Sequence, residues 1–83
     1  MKIKLRFFAA LREALDTSEV EVDTAVSTVG ELRAELCARG PQWAQALAPG
    51  RPVRASLDQS MVSDATLLHD GAEVAFFPPV TGG

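Results

Sequence analysis

Eighty-three residues, 47% hydrophobic and 23% charged, describe one ordinary globular domain rather than a disordered or multi-domain chain. The net charge of −3 argues against nucleic acid as a general partner, and a single cysteine excludes an internal disulfide framework. Charge at every second residue from Lys2 to Arg6 leaves no signal-peptide core, and no apolar run reaches membrane-spanning length, so a cytoplasmic protein without a membrane partner is expected.

In chain order, Lys2 to Phe7 alternates strictly. Ile3, Leu5 and Phe7 fall on one face and Lys2, Lys4 and Arg6 on the other, the pattern of a half-buried strand. Ala9–Leu15 combines helix formers with leucines at i and i+4, and Asp16-Thr17-Ser18 breaks it. Glu19 to Val22 alternates again, placing carboxylates where they can pair with Lys4 and Arg6 across an antiparallel strand. Thr28-Val29-Gly30-Glu31 is a capping-box pattern opening a helix with the stripe Val29, Leu32 and Leu36, and Gly40-Pro41 is expected to close it. Gln42–Leu47 predicts a further turn or two, with Trp43 and Leu47 on one side. Val53–Leu57 predicts a third strand, with Val53, Ala55 and Leu57 inward and Arg54 and Ser56 outward. Met61-Val62 predicts a very short strand, and Ala65–Leu68 a loop with one helical turn. Asp70-Gly71 is a turn signal launching the last strand, Glu73–Phe77.

This order predicts an α+β fold, a mixed sheet of four to five strands with one main helix and short extra helices. With the first and last strands parallel and central, it is a β-grasp, ubiquitin-like domain. The expected core is Ile3, Leu5, Phe7, Leu11, Val20, Val22, Val29, Leu32, Leu36, Val53, Leu57, Leu67, Val74 and Phe76. Residues 1–77 form the domain and 78–83 an extended tail.

The tail is the chemically informative segment. Pro78-Pro79 favours polyproline II, rising about 3.1 Å per residue, so the end projects roughly 15–20 Å from the body. Val80 and Thr81 suit pockets that fix register, and Gly82 and Gly83, lacking Cβ atoms, enter a slot too narrow for other residues. That combination delivers a terminal carboxylate into another protein's active site. Pleat parity adds a docking face. If Phe7 and Phe76 point to the helix, Phe8 and Phe77 point away, at the end from which the tail leaves, with Arg6 and Arg54 as a basic rim.

Other tempting residues read as structural. Cys37 borders the helix stripe with no His or second Cys at ligand spacing, His69 stands alone beside a turn, and Asp58 and Asp64 are turn residues. Trp43 reads as a cover for the sheet edge. There is no Gly-rich phosphate loop, CxxC or metal cluster, so neither a metal nor ATP is expected to bind this chain.

Phe76-Phe77-Pro78-Pro79-Val80-Thr81-Gly82-Gly83 resembles the tail of the small subunits of molybdopterin synthase. Leu5-Arg6-Phe7-Phe8-Ala9, Leu11-Arg12-Glu13 and Asp70-Gly71-Ala72-Glu73-Val74 extend the resemblance over the whole chain. It departs from that family at Asp58, where Asn is common, and at Ala72, where an acidic residue is common. The resemblance implies a sulfur carrier. An E1-like adenylating enzyme activates the Gly83 carboxylate with ATP, and a sulfur donor protein converts it to a thiocarboxylate. The large synthase subunit then accepts the tail, and sulfur passes to cyclic pyranopterin monophosphate to build the molybdopterin dithiolene. It also implies a heterotetramer of two small subunits on a large-subunit dimer. The alternatives are a carrier of the thiamine thiazole type, a ubiquitin-like protein modifier joined to target lysines through Gly83, and an interaction module whose diglycine is incidental.

Overall fold

A computed structural model describes residues 1–48 and 52–78. The elements run β1 (Lys2–Phe7), α1 (Ala9–Leu15), β2 (Glu19–Asp23), α2 (Val29–Cys37), α3 (Pro41–Leu47), β3 (Arg54–Leu57), β4 (Ser60–Val62) and β5 (Glu73–Phe77). The five strands form one mixed sheet in the order β2-β1-β5-β3-β4. β1 and β5 are parallel neighbours with Leu5 opposite Val74 and Phe7 opposite Phe76, and the other pairings are antiparallel. This is the expected β-grasp sheet, built around the two strands whose inward faces are fully apolar.

The helices cover one face. Ile3, Leu5 and Phe7 meet Leu32, Leu36 and Leu47 beneath them, and Val74 and Phe76 complete the same layer. Phe7 stacks on Phe76 at 6.0 Å between ring centroids and receives the edge of Trp43 at 5.6 Å. α2 begins as its sequence dictates. Thr28 Oγ1 accepts from the Glu31 N–H at 3.1 Å, and Glu31 Oε1 accepts from the Thr28 N–H at 3.1 Å. The next orphan donors of that first turn, the N–H groups of Val29 and Gly30, go to the carbonyls of Thr66 and Asp64.

Several expectations are corrected. Gly40-Pro41 starts α3 rather than closing α2: Gly40 is its N-cap and Pro41 its first residue, while α2 ends three residues earlier with Ala38 as C-cap. Gly-Pro suits both roles, because proline's missing N–H costs nothing at a helix start. Leu67 is 69% exposed, and its neighbour Leu68 enters the core. No helical turn forms there. A single antiparallel bridge pairs Leu67 with Thr28, and the Leu68 N–H donates to the Ser27 carbonyl, which fixes the parity of the loop. Val20, Val22, Val53 and Leu57 are only partly buried, because they lie on the edge strand β2 or toward the margin of β3. The third strand starts at Arg54 rather than Val53. Leu15, Leu47 and Ala72 join the core in addition.

Candidate functional site

The outer face of the sheet is read directly from the register. Glu19, Arg6, Ala75, Ser56 and Met61 form one cross-strand row, and Phe77 lies opposite Arg54 in the next. The Phe77–Arg54 pair lies where β5 gives way to the tail. Phe8, at the N-cap of α1, lies parallel to Phe77 with ring centroids 5.1 Å apart and planes 16° from coincident. Both rings are half-buried, so each covers the other and neither is sealed beneath α1. Sequence parity alone places these two aromatics together, and the structure has them in contact.

Arg6 is more occupied than a free basic rim. Its guanidinium lies 5.3 Å from the Phe8 ring centroid, 3.8 Å from a Glu19 carboxylate oxygen and 3.7 Å from one of Glu73. It therefore clamps the aromatic pair to the sheet more than it offers a charge outward. Arg54 is exposed at the margin beside Phe77 and meets no carboxylate among the described residues. Lys4 pairs with Glu19 at 3.8 Å, as the alternation of the first two strands anticipates.

Pro78 follows β5 and points to the helix side. It lines an apolar groove of about 410 Å³ with Leu11, Ala14, Ala46 and Val53. The chain thus leaves the sheet between two apolar surfaces, Phe8–Phe77 on one side and the α1/α3 groove on the other. Pro79, Val80, Thr81, Gly82 and Gly83 lie outside the described residues.

Two parts of this end went unread in the sequence. Met61 is 58% exposed on β4, beside the aromatic pair, and alternation through Ser60–Val62 is the signal that finds it. Ser56 and Ala75 face outward yet are each only 5% exposed, because larger neighbours wall them in. His69 is not alone: its Nε2 lies 2.7 Å from Asp58 Oδ2, at the opposite end of β5 from the tail. Cys37 is half-buried on α2. Among the described residues no group of acidic, histidine and cysteine side chains is placed to hold a metal, and no helix is long and apolar enough to cross a membrane.

Comparison with known proteins agrees along the whole length. The ThiS family matches residues 5–83. The molybdopterin synthase sulfur carrier subunit of Escherichia coli (strain K12) is 47% identical over 98% of this chain and 99% of its own. SAMP1 from Haloferax volcanii superposes with a TM-score of 0.81 at 24% identity, each chain fully covered. A chain in the complex of subunits 1 and 2 of the molybdopterin-converting factor from Helicobacter pylori gives 0.70 at 24%, again with full coverage of both. The last two likenesses carry the fold; the 47% identity carries more. A β-grasp body, an aromatic pair at the tail's exit and this end-to-end sequence match lead to one placement: the chain belongs to the ThiS family, among the molybdopterin synthase sulfur carrier subunits.

Proposed function

We propose that this protein carries sulfur on its C-terminal glycine for a molybdopterin synthase. The observation that carries the reading is the 47% identity to a sulfur carrier subunit across essentially all of both chains. Gly83 is then a co-substrate, and the folded body is a handle by which other proteins hold it.

The chemistry needs three partners. An E1-like adenylating enzyme binds ATP, and the Gly83 carboxylate attacks its α-phosphorus as pyrophosphate leaves. A carboxylate is a poor electrophile because its charge is delocalised; the acyl-adenylate carries a good leaving group. A sulfur donor protein supplies a sulfide equivalent that displaces AMP and leaves a thiocarboxylate. Its sulfur is polarisable and ionised near neutral pH, the properties that make thiolates nucleophilic. The large synthase subunit admits the tail and brings this sulfur to cyclic pyranopterin monophosphate, two transfers completing the dithiolene. Acid–base groups come from that subunit: Glu73, the carboxylate that lines this face, is paired with Arg6 at 3.7 Å and lies at the end of β5 remote from the tail.

Each segment of the tail has a physical part. Pro78 and Pro79 lower the ordering cost of docking, which is otherwise about 1–2 kcal/mol per residue. Val80 and Thr81 set register, and Gly82 and Gly83 give a backbone slim enough for the catalytic slot. Phe8 and Phe77 anchor the body beside the tail's exit, with Arg54 at the rim, and two carriers serve one large-subunit dimer as a heterotetramer.

Intact mass spectrometry tests the reading. Incubation with an adenylating enzyme, ATP and a sulfur donor is expected to exchange one terminal oxygen for sulfur. Reconstitution with the large subunit and the pterin precursor is expected to yield dithiolene. Deleting Gly83, or appending a residue to it, abolishes transfer and leaves cooperative melting intact. Covalent ladders on other proteins in place of dithiolene would overturn the assignment in favour of a modifier.

A further inference from the structure

Ser56 occupies an unusual position for a strand hydroxyl. It lies on the outer face, in register with Ala75 on one side and Met61 on the other, yet is only 5% exposed. Its Oγ makes no hydrogen bond with any described residue, although it lines an open concavity of about 290 Å³. Ser56 and Ala75 form the floor, Phe8, Phe77 and Met61 the apolar part of the walls, and Arg6, Gln59 and Glu73 the polar part. Because the concavity is open, water has access to the hydroxyl in the free protein. When a partner covers this end, that water is expelled and the hydroxyl needs a replacement, because a buried unpaired polar group opposes binding.

We propose that this concavity is a socket for one amphipathic side chain of the large synthase subunit, its apolar stem lying along Phe8, Phe77 and Met61 and its polar tip hydrogen-bonding Ser56 Oγ. The proposal rests on the carrier reading above and adds the specificity element within it. The concavity, about 290 Å³ and open to solvent, has room to admit a side chain from a partner. The socket is continuous with the aromatic pair at the tail's exit, so filling it fixes the body's orientation as the tail enters. A floor of two small residues makes the hole, and the hydroxyl makes the hole selective: a purely apolar knob leaves it unpaired.

Affinity for the large subunit, measured by calorimetry on the full chain, tests this with two variants. Ser56→Ala keeps the space and removes the hydroxyl, and is expected to weaken binding about tenfold. Ser56→Leu fills the hole and is expected to weaken it further, by up to about a hundredfold. Both are expected to melt as the wild type does; should Ser56→Leu fail to fold, Ser56→Ala alone decides. Wild-type binding with unchanged or tighter binding by Ser56→Ala overturns the socket and leaves the carrier reading standing. Absence of any binding by the wild-type chain overturns both.

Discussion

Asp58 and His69 are joined at 2.7 Å across the end of the sheet remote from the tail, and the contact is one that a neutral imidazole serves poorly. The other ring nitrogen, Nδ1, lies 3.1 Å from the Asp70 carbonyl, so both nitrogens face acceptors. Only the doubly protonated ring donates to both. The Asp58 hydrogen bond, then the Asp70 carbonyl, accordingly raise the His69 pKa. The Asp58 pKa is lowered, first by the Glu73 N–H that donates to Oδ1 at 2.9 Å, then by His69.

A pH dependence of stability follows, with opposite signs for the two groups. His69 is raised, so its contribution is complete below the ordinary histidine pKa of about 6.5 and lost as pH rises through the folded value. Asp58 is depressed, so its contribution is complete above the ordinary carboxylate value of about 3.9 and lost as pH falls through the folded one. The pair therefore contributes most between about pH 4 and pH 6.5. Thermal melting of the wild type against His69→Gln is expected to diverge most in that window and converge at alkaline pH. A constant difference across the range would show that the histidine acts by packing alone.

Arg33 carries a second stability prediction. It is buried in α2, where Nε donates to the Leu47 carbonyl at 2.6 Å and Nη2 to the Ala48 carbonyl at 2.7 Å. These are the last carbonyl of α3 and that of its C-cap, neither of which has an intrahelical donor. Arg33→Met keeps much of the stem and strands those carbonyls, with an expected loss of about 2–4 kcal/mol in urea unfolding. Arg33→Lys, a point charge without the planar fork, is expected to recover less than half. Wild-type stability in Arg33→Met would mean that water caps α3 as well.

These two networks also mark the limit of what the sequence discloses. β1, α1, β2 and β5 are legible because alternation or i, i+4 spacing encodes which face is buried, and Thr28 with Glu31 encodes a helix start locally. Arg33 is not legible, because an arginine one place from an apolar stripe reads as solvated until α3 folds over it. The Asp58–His69 contact needs a turn and a loop eleven residues apart brought to one sheet end. On the outer face of the sheet, parity predicts the direction of Phe8, Phe77 and Ser56 correctly. It is silent on burial, which depends on the size of cross-strand neighbours such as Met61. Leu67 and Leu68 differ only in which of two adjacent leucines turns inward, a choice made by one bridge to Thr28.

Gly30 gives a prediction opposite to helix propensity. Glycine inside a helix costs about 1 kcal/mol relative to alanine, so Gly30→Ala ought to stabilise α2. A Cβ there would stand 2.9 Å from Asp64 Cβ and 3.1 Å from the Asp64 carbonyl oxygen, which itself accepts the Gly30 N–H at 2.9 Å. Because the two nearest atoms, Asp64 Cβ and the Asp64 carbonyl oxygen, are fixed to the backbone, relief requires moving the loop that also carries Leu68 into the core. Gly30→Ala is expected to lower stability by about 1–3 kcal/mol in denaturant unfolding, while a gain would show that the loop yields freely.

Phe77 separates binding from folding. Its backbone belongs to β5 opposite Arg54, whereas its ring faces outward, half-buried, with Phe8 as its aromatic partner at 5.1 Å. Phe77→Asp forfeits that stack and a strand-favouring side chain, a stability cost of about 1–2 kcal/mol. Under the proposed docking it also replaces an aromatic anchor with a carboxylate, and aromatic hot spots typically account for 2 kcal/mol or more, about thirtyfold in affinity. Phe8→Ala is expected to weaken binding less, since Arg6 still lies beside the site, and the double variant to fall short of the sum because the rings share one contact. Affinity and melting measured on the same three proteins decide the matter. If unfolding accounts for the whole loss of binding, Phe77 is a core residue and the docking face lies elsewhere.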